Sequence, residues 1–435
     1  MSLALGIIRA VERVYARTPS TAPPTSQAAS LALKQLLPSL LVFVFVLVPV
    51  ARAEPLLTGD GGTPEFYTWS GPLDREPGTL LRQEPGLKDL ANAERSVRIL
   101  YVSTDGIGGK AKIPVSGLLY LPKGQAPAGG WPLIAWAHGT VGIADVCAPS
   151  FAGRGVWEVP YLNFWLQQGY AVVATDYQGL GVPGPHPYGA TRPAAYSVLD
   201  SVRAVQRSGF GLSTKVVLVG FSQGGHAVFA TAGYAPTYAP ELDIRGTVAT
   251  GAAYVTPEAI ARLRATFPRD AVDPVLGYGF YAMSLAEQID PSFSVRDYLT
   301  AEASRVVLGT ATTCYPQTAR EIIAYKLTYN RIYKKDPAPA IDETLPLIGY
   351  PALSIKTPVF LGTGGEDHDA PPQVQLQLGA DACAKGSTVE QHLYPELDHI
   401  GSLSGSLSDS LQFVQKALAG EKIAGNCGAR PTLGE

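Results

Sequence analysis

Charge is scarce in this chain. Asp, Glu, Lys and Arg make up only 16% of the 435 residues, and they nearly cancel to a formal net charge of −3. No run of Lys or Arg suggests a nucleic-acid surface, and no acidic tail suggests a basic partner. Cysteine is scarce too: Cys147, Cys314, Cys383 and Cys427 lie far apart without a C-x-x-C pair, which argues against zinc or redox use. No segment repeats at a period of roughly 20–50 residues, so solenoids and propellers are set aside. No apolar run reaches the roughly 20 residues that a membrane-crossing helix needs. What remains is a chain with 46% hydrophobic content, 46 Gly and 36 Pro, long enough for one large core with many tight, fixed loops.

The first 53 residues stand apart. Lys34 precedes the apolar stretch "QLLPSLLVFVFVLVPV" (35–50), and "ARA" (51–53) puts small residues at −3 and −1 of a cleavage point. This pattern predicts a secretory signal peptide cut after Ala53, so residues 1–53 are left out of the fold and the mature chain is expected to start at Glu54. Export makes the cysteines legible, because two disulfides are the natural state of four distant thiols in an oxidising compartment.

Beyond an extended arm (54–95), short β-rich runs follow one another: "VRILYVS" (97–103), "VSGLLYL" (115–121), "PLIAWAH" (132–138), "YAVVATD" (170–176), "VVLVG" (216–220) and "TVAT" (247–250). The later ones are apolar throughout, as in strands covered on both faces. Helical patterns lie between them. One is "RPAAYSVLDSVRAVQRSG" (192–209), which begins with Pro, ends at Gly and places Ala195, Val198, Leu199, Val202 and Val205 on one face. The alternation predicts an α/β fold with a mostly parallel central sheet flanked by helices. It stops near residue 255. "TPEAIARLRATF", "SVRDYLTAEASRVVLG" and "TAREIIAYKLTYNRIYKK" read as helices, and strand character resumes at "TPVFLGTGG" (357–365) and "TVEQHLYP" (388–395) before a last helix, "SLSDSLQFVQKALAG" (406–420). The expected organisation is a core over 54–254 and 356–435, interrupted by a helical cap over 255–355.

"KVVLVGFSQGGHAVFATAG" (215–233) runs from a buried strand straight into Ser222, flanked by Gly220 and Gly224. G-x-S-x-G alone is weak, since chance gives on the order of 0.3 matches in a chain this rich in Gly. Strand, sharp turn and helix are the context that a nucleophile elbow requires, where neighbours two residues either side must be tiny. A serine needs a base, and the base needs an orienting carboxylate. "FLGTGGEDHDAPP" (360–372) supplies Glu366, Asp367 and Asp369 in a loop past a strand, and "LYPELDHIGSL" (393–403) supplies His399 in a loop after the next. Asp367 is the expected acid. Asp398 adjoins His399, and adjacent side chains diverge; Glu366 lies closer to the strand end, and Asp369 is the runner-up. Donors for a tetrahedral oxyanion are expected from Gly139 or Thr140 in "AWAHGTVG" (135–142) and from Gln223, with His138 anchoring its loop and not acting as a second base. No cofactor and no metal enter this chemistry.

Together, "HGT…CAPS" (138–140, 147–150), "GYAVVATDYQGLGVPGPHPY" (169–188), "GFSQGGHA" (220–227) and "DHDAPP" (367–372) resemble the secretory lipase family of α/β-hydrolases, and "PGTLLRQEP" (77–85) resembles that family's mature start. The resemblance implies the α/β-hydrolase fold, a Ser-Asp-His esterase and a helical cap over an acyl-binding tunnel. It also implies the pairings Cys147–Cys314 and Cys383–Cys427. One departure stands out: secreted yeast lipases carry an aspartate near the oxyanion loop, where this chain has Thr140. The expected activity is a secreted carboxylic-ester hydrolase acting on lipid-like acyl esters, with room for transient contact with a lipid interface. An acyltransferase using the same triad is the alternative, and a non-catalytic hydrolase-fold binding protein ranks last.

Overall fold

The apolar runs become the strands of one nine-stranded sheet. The structure, a computed structural model, describes residues 58–433, so the expected leader and its cleavage after Ala53 lie outside the described residues. The strands are β1 (Leu80–Pro85), β2 (Ala93–Thr104), β3 (Lys112–Pro122), β4 (Trp131–Ala137), β5 (Ala171–Thr175), β6 (Leu212–Phe221), β7 (Asp243–Thr250), β8 (Val359–Gly364) and β9 (Val389–Tyr394). Their order is β1-β2-β3-β5-β4-β6-β7-β8-β9. β1, β2 and β3 join antiparallel and β3 pairs antiparallel with β5, while the five pairings from β5–β4 to β8–β9 are parallel.

The unbroken apolar strands have the predicted cause. Every residue of β5 and of β8 is buried, because helices cover both faces of the parallel half. On one face, Val198 and Val202 of helix α2 (Thr191–Gln206) and Val228 and Phe229 of α3 (Gln223–Tyr238) share a core with Leu133, Val173 and Leu218. On the other, Tyr161 and Trp165 of α1 (Glu158–Gln167) pack with Trp136, Val172 and Val219. Each large apolar side chain buried in this way contributes roughly 1.5–3 kcal/mol.

β1 departs from expectation, since it lies inside the arm read as merely extended. Only half-buried and exposed residues make it up, so it has no hydrophobic signature. Backbone pairing to β2 at the sheet edge forms it.

Between β7 and β8 the chain is helical: α4 (Pro257–Thr266), α5 (Leu276–Ile289), α6 (Ala301–Gly309), α7 (Tyr315–Ala324) and α8 (Ala338–Asp342), with shorter turns between them. This stretch has its own core, in which Phe280, Tyr281, Met283, Val306 and Ile322 meet. Two expected helices prove shorter. The one expected from Ser294 begins only at Ala301, where the Thr300 side chain accepts from Ala303 N–H and caps it. The one expected from Thr318 to Lys335 stops at Ala324, with Lys326 at φ 50° and Thr328 capping a new four-residue turn. In both cases threonine chose the cap over the helix interior.

β8 leads to α9 (Pro372–Ala384); β9 leads to α10 (His399–Gly405) and α11 (Leu407–Ala419). Disulfides join Cys147 to Cys314 and Cys383 to Cys427. The first ties the loop after β4 to the start of α7, and the second ties α9 to the C-terminal segment. Among the described residues, no helix is long and apolar enough to cross a membrane.

Candidate active site

Ser222 sits where β6 turns into α3, with φ 57° and ψ −120°. A non-glycine residue held there costs on the order of 1–3 kcal/mol, which the surroundings must offset. The flanking glycines show how tight the turn is. A Cβ at Gly220 would lie 2.1 Å from Gly224 O, and one at Gly224 would lie 1.9 Å from Ala137 O. No side chain fits at either place. Ser222 N–H donates to Thr250 O (2.9 Å), which pins the elbow to the end of β7.

Asp367 and His399 meet directly: His399 Nδ1–H donates to Asp367 Oδ2 over 2.7 Å, with both side chains buried. The carboxylate also accepts from Asp369 N–H (3.0 Å), Ala370 N–H (2.8 Å) and Gln375 Nε2 (2.8 Å). Four donors hold one anion in place. With its proton on Nδ1, the imidazole keeps a lone pair on Nε2, which is buried and has no hydrogen-bond partner among the described residues. The ring lies 4.6 Å from that of Phe221, the residue before Ser222. It also abuts Gly251, just past β7, where a Cβ would come 2.9 Å from His399 Cε1. His399 was expected in a loop but is the first residue of α10, N-capped by Asp398, which accepts from Gly401 N–H over 2.7 Å. That cap occupies Asp398 away from the imidazole. Glu366 is exposed, and Asp369 accepts from Tyr278 OH of α5 over 2.6 Å. Of the carboxylates near the site, only Asp367 reaches His399 Nδ1.

Gly139 and Thr140 follow β4 beside the elbow, and a Cβ at Gly139 would lie 3.5 Å from Ser222 Cβ. Gln223 is the first residue of α3, a position that leaves its N–H without an intrahelical partner. Thr140 Oγ1 lies 2.7 Å from Tyr188 OH. His138 Nδ1–H donates to Gly139 O over 2.7 Å, and burial pushes this imidazole down to about 4. A buried, neutral ring committed to its own loop is a structural anchor. His186 is similarly pushed down to about 4; its Nδ1–H donates to Gln178 O (2.8 Å) and its Nε2 faces Gln223 Nε2 (3.2 Å).

A cavity of about 400 Å³ opens on Ser222. Thr140 and Tyr188 line it near the elbow, and Ile260, Leu263, Leu276 and Ile341 line it from the helical stretch. Asp367, Asp369 and His399 form the one group among the described residues whose ligand atoms converge closely enough to hold an ion. Asp367 and His399 bind one another and Asp369 is held by Tyr278, so hydrogen bonds already account for the convergence.

Gln375 and Tyr188 escaped sequence reasoning. Gln375 is an ordinary helix position, eight residues past the acid it supports. Tyr188 stands in a Pro- and Gly-rich stretch whose path no periodicity reveals. Gln375 carries no sequence signal, and Tyr188 only closes the stretch (169–188) that resembles the secretory lipases.

A model of the secretory lipase family matches residues 157–272. The chain is 26% identical to Lipase A of Moesziomyces aphidis over 307 residues, covering 65% of this chain and 64% of that protein. It is 28% identical over 212 residues to a probable inactive lipase of Mycobacterium tuberculosis, covering 45% and 46%. The chain thus spans less than two thirds of the length of these curated relatives. Among solved structures, Candida antarctica lipase A superposes with a TM-score of 0.68 at 21% identity, covering 85% of this chain and 89% of that one. That likeness gives the fold: this is an α/β-hydrolase fold. The family matched is the one that the sequence motifs resemble.

Proposed function

We propose that this protein is a secreted serine hydrolase of carboxylic esters, acting on lipid-like acyl esters. The observation that carries the reading is the strained Ser222 at an elbow opening on a largely apolar cavity, beside a buried His399–Asp367 pair. Ser222 Oγ attacks the ester carbonyl while His399 Nε2 takes its proton. Asp367 holds the ring in the required tautomer and stabilises the imidazolium. The backbone N–H groups of Gln223 and of Thr140 or Gly139 receive the oxyanion. His399 then returns the proton to the leaving alcohol, and water repeats the cycle to release the acid. The helices between β7 and β8 act as a cap whose apolar walls take the acyl chain. Disulfides at Cys147–Cys314 and Cys383–Cys427 suit an oxidising, extracellular setting.

The test is a panel of chromogenic esters of increasing chain length, run on the wild type and on Ser222→Ala, with an organophosphonate to label the serine. Hydrolysis lost in the variant, with label on Ser222, supports the reading. Equal activity in both proteins would end it, and a wild type with no activity and no labelling would leave a binding protein. Glycerol added to the assay separates hydrolysis from acyl transfer by the product formed.

A further inference from the structure

Thr140 and Tyr188 both line the cavity that opens on Ser222, and their hydroxyl oxygens lie 2.7 Å apart. Each hydroxyl has one hydrogen to give. A phenol is a stronger donor and a weaker acceptor than an aliphatic alcohol, so Tyr188 O–H donates to Thr140 Oγ1. The Thr140 hydrogen is then unspent, because Tyr188 is the one hydrogen-bond partner of Thr140 Oγ1 among the described residues. That hydrogen belongs to the residue after Gly139, where an added Cβ would lie 3.5 Å from Ser222 Cβ, so the hydroxyl is carried by the loop that runs beside the elbow. Tyr188 is itself held firmly. Its ring meets that of Tyr281 edge-on at 5.2 Å, and its N–H donates to His186 O over 2.9 Å. Burial raises the phenol above its ordinary value, so it stays a neutral donor.

We propose that the Thr140 side-chain hydroxyl, oriented by Tyr188, is a third donor to the oxyanion, beside the two backbone N–H groups. The inference rests on the hydrolase reading of Ser222. As Ser222 Oγ bonds to the carbonyl carbon, the C=O π electrons move onto oxygen, and the Thr140 O–H donates to the oxygen that has gained charge. No proton is transferred in this contact. A donor placed for the charged oxygen is satisfied in the transition state and largely idle before it, so its removal lowers kcat and leaves KM in place. Tyr188 acts through Thr140 and is a positioning residue. Because Tyr281 belongs to α5, the same contact links the helical stretch to the oxyanion.

The experiment measures kcat and KM on a soluble chromogenic ester for Thr140→Val, Thr140→Ser, Tyr188→Phe and Ser222→Ala, with a melting curve for each. Thr140→Val keeps the shape without the hydroxyl and should lose about 10²-fold in kcat with KM little changed. Thr140→Ser should recover most of that loss. Tyr188→Phe should lose about tenfold, and almost nothing further when Thr140→Val is already present, since it acts through that hydroxyl. Thr140→Val within about threefold of wild type in kcat, or Thr140→Ser as slow as Thr140→Val, overturns the proposal. Ser222→Ala separates the two failures: an inactive serine variant beside an active Thr140→Val sinks only the third donor, whereas an active one sinks the hydrolase reading and this proposal with it.

Discussion

The strand ends that carry Ser222 and Asp367 and the helical stretch between β7 and β8 line the same cavity, yet they are held by different means. At the elbow the constraint is backbone against backbone: Gly224 leaves no room for a Cβ because Ala137 O is in the way. In α4, at the margin of the helical stretch, the constraint is loose. Helix α4 has no buried residue, and what its Ile260 and Leu263 face is the cavity. The first region can change little without losing its geometry. The second can exchange side chains and change mainly the shape of the space it encloses. On the proposed reading, the elbow holds the reacting groups while α4 shapes the acyl space, and α5 touches both through Tyr278 and Tyr281.

The largest effect should fall on the rigid side. Asp367→Asn keeps the shape of the side chain but leaves His399 in the wrong tautomer, and a loss of about 10⁴ in kcat is expected. Asp369→Asn, whose carboxylate is engaged by Tyr278, should lose less than about tenfold by the same reasoning. Steady-state kinetics on both variants check this, and a reversed order would transfer the acid to Asp369. Glycines sharpen the contrast next. Gly224→Ala should destabilise by about 3 kcal/mol or more, since the obstructing atom is backbone. Gly309→Ala, at the end of α6 with nothing within 4 Å of the new Cβ, should be neutral or stabilising by about 0.5–1 kcal/mol. Urea melts of the two variants give the comparison directly.

On the permissive side, Ile260→Trp should fill part of the cavity. The expected result is a relative drop in kcat/KM for long-chain over short-chain esters of about 10–200-fold, with little change in Tm. A uniform drop across chain lengths would show that α4 does not shape the acyl site.

The smallest effect concerns pH. His138 and His186 are held at about 4 by burial, against an ordinary 6.5. Between those values the unfolded chain binds more protons than the folded one, so stability should be lost as pH falls through that window. Asp145 has the opposite sign. Burial, with Asp60 nearby, pushes its carboxyl up to about 7, so its contribution falls as pH rises from about 4 to 7. Thermal melts over pH 4–7 should show a flatter acid side in His186→Gln and, for Asp145→Asn, a smaller loss on the alkaline side.

The parts of the molecule that could be read early are those whose physics is local. β5 and the second half of β6 declare themselves through apolar runs, and the elbow through two glycines at a spacing that sterics demand. β1 could not be read, because its pairing partner, and no pattern of its own, makes it a strand. The break at Lys326 was hidden for a related reason: "TAREIIAYKLTYNRIYKK" keeps a helical composition throughout, and the cap at Thr328 won locally.

By itself the sequence determined the alternation of strands and helices, the helical interruption, and the order in which serine, acids and histidine follow strand ends. Short-range sterics and hydrophobic periodicity act along the chain, so a reader needs nothing else to find them. Which of four neighbouring carboxylates meets the imidazole was decided only by tertiary structure. A side chain's direction in a loop depends on the donors that hold it: Asp369 N–H, Ala370 N–H and Gln375 Nε2 hold Asp367 on the His399 side, while Tyr278 draws Asp369 to the helices and Gly401 N–H claims Asp398. The meeting of Thr140 with Tyr188, 48 residues apart, was decided in the same way. Hydrogen bonds between distant residues form only once the core has brought their strands and loops together.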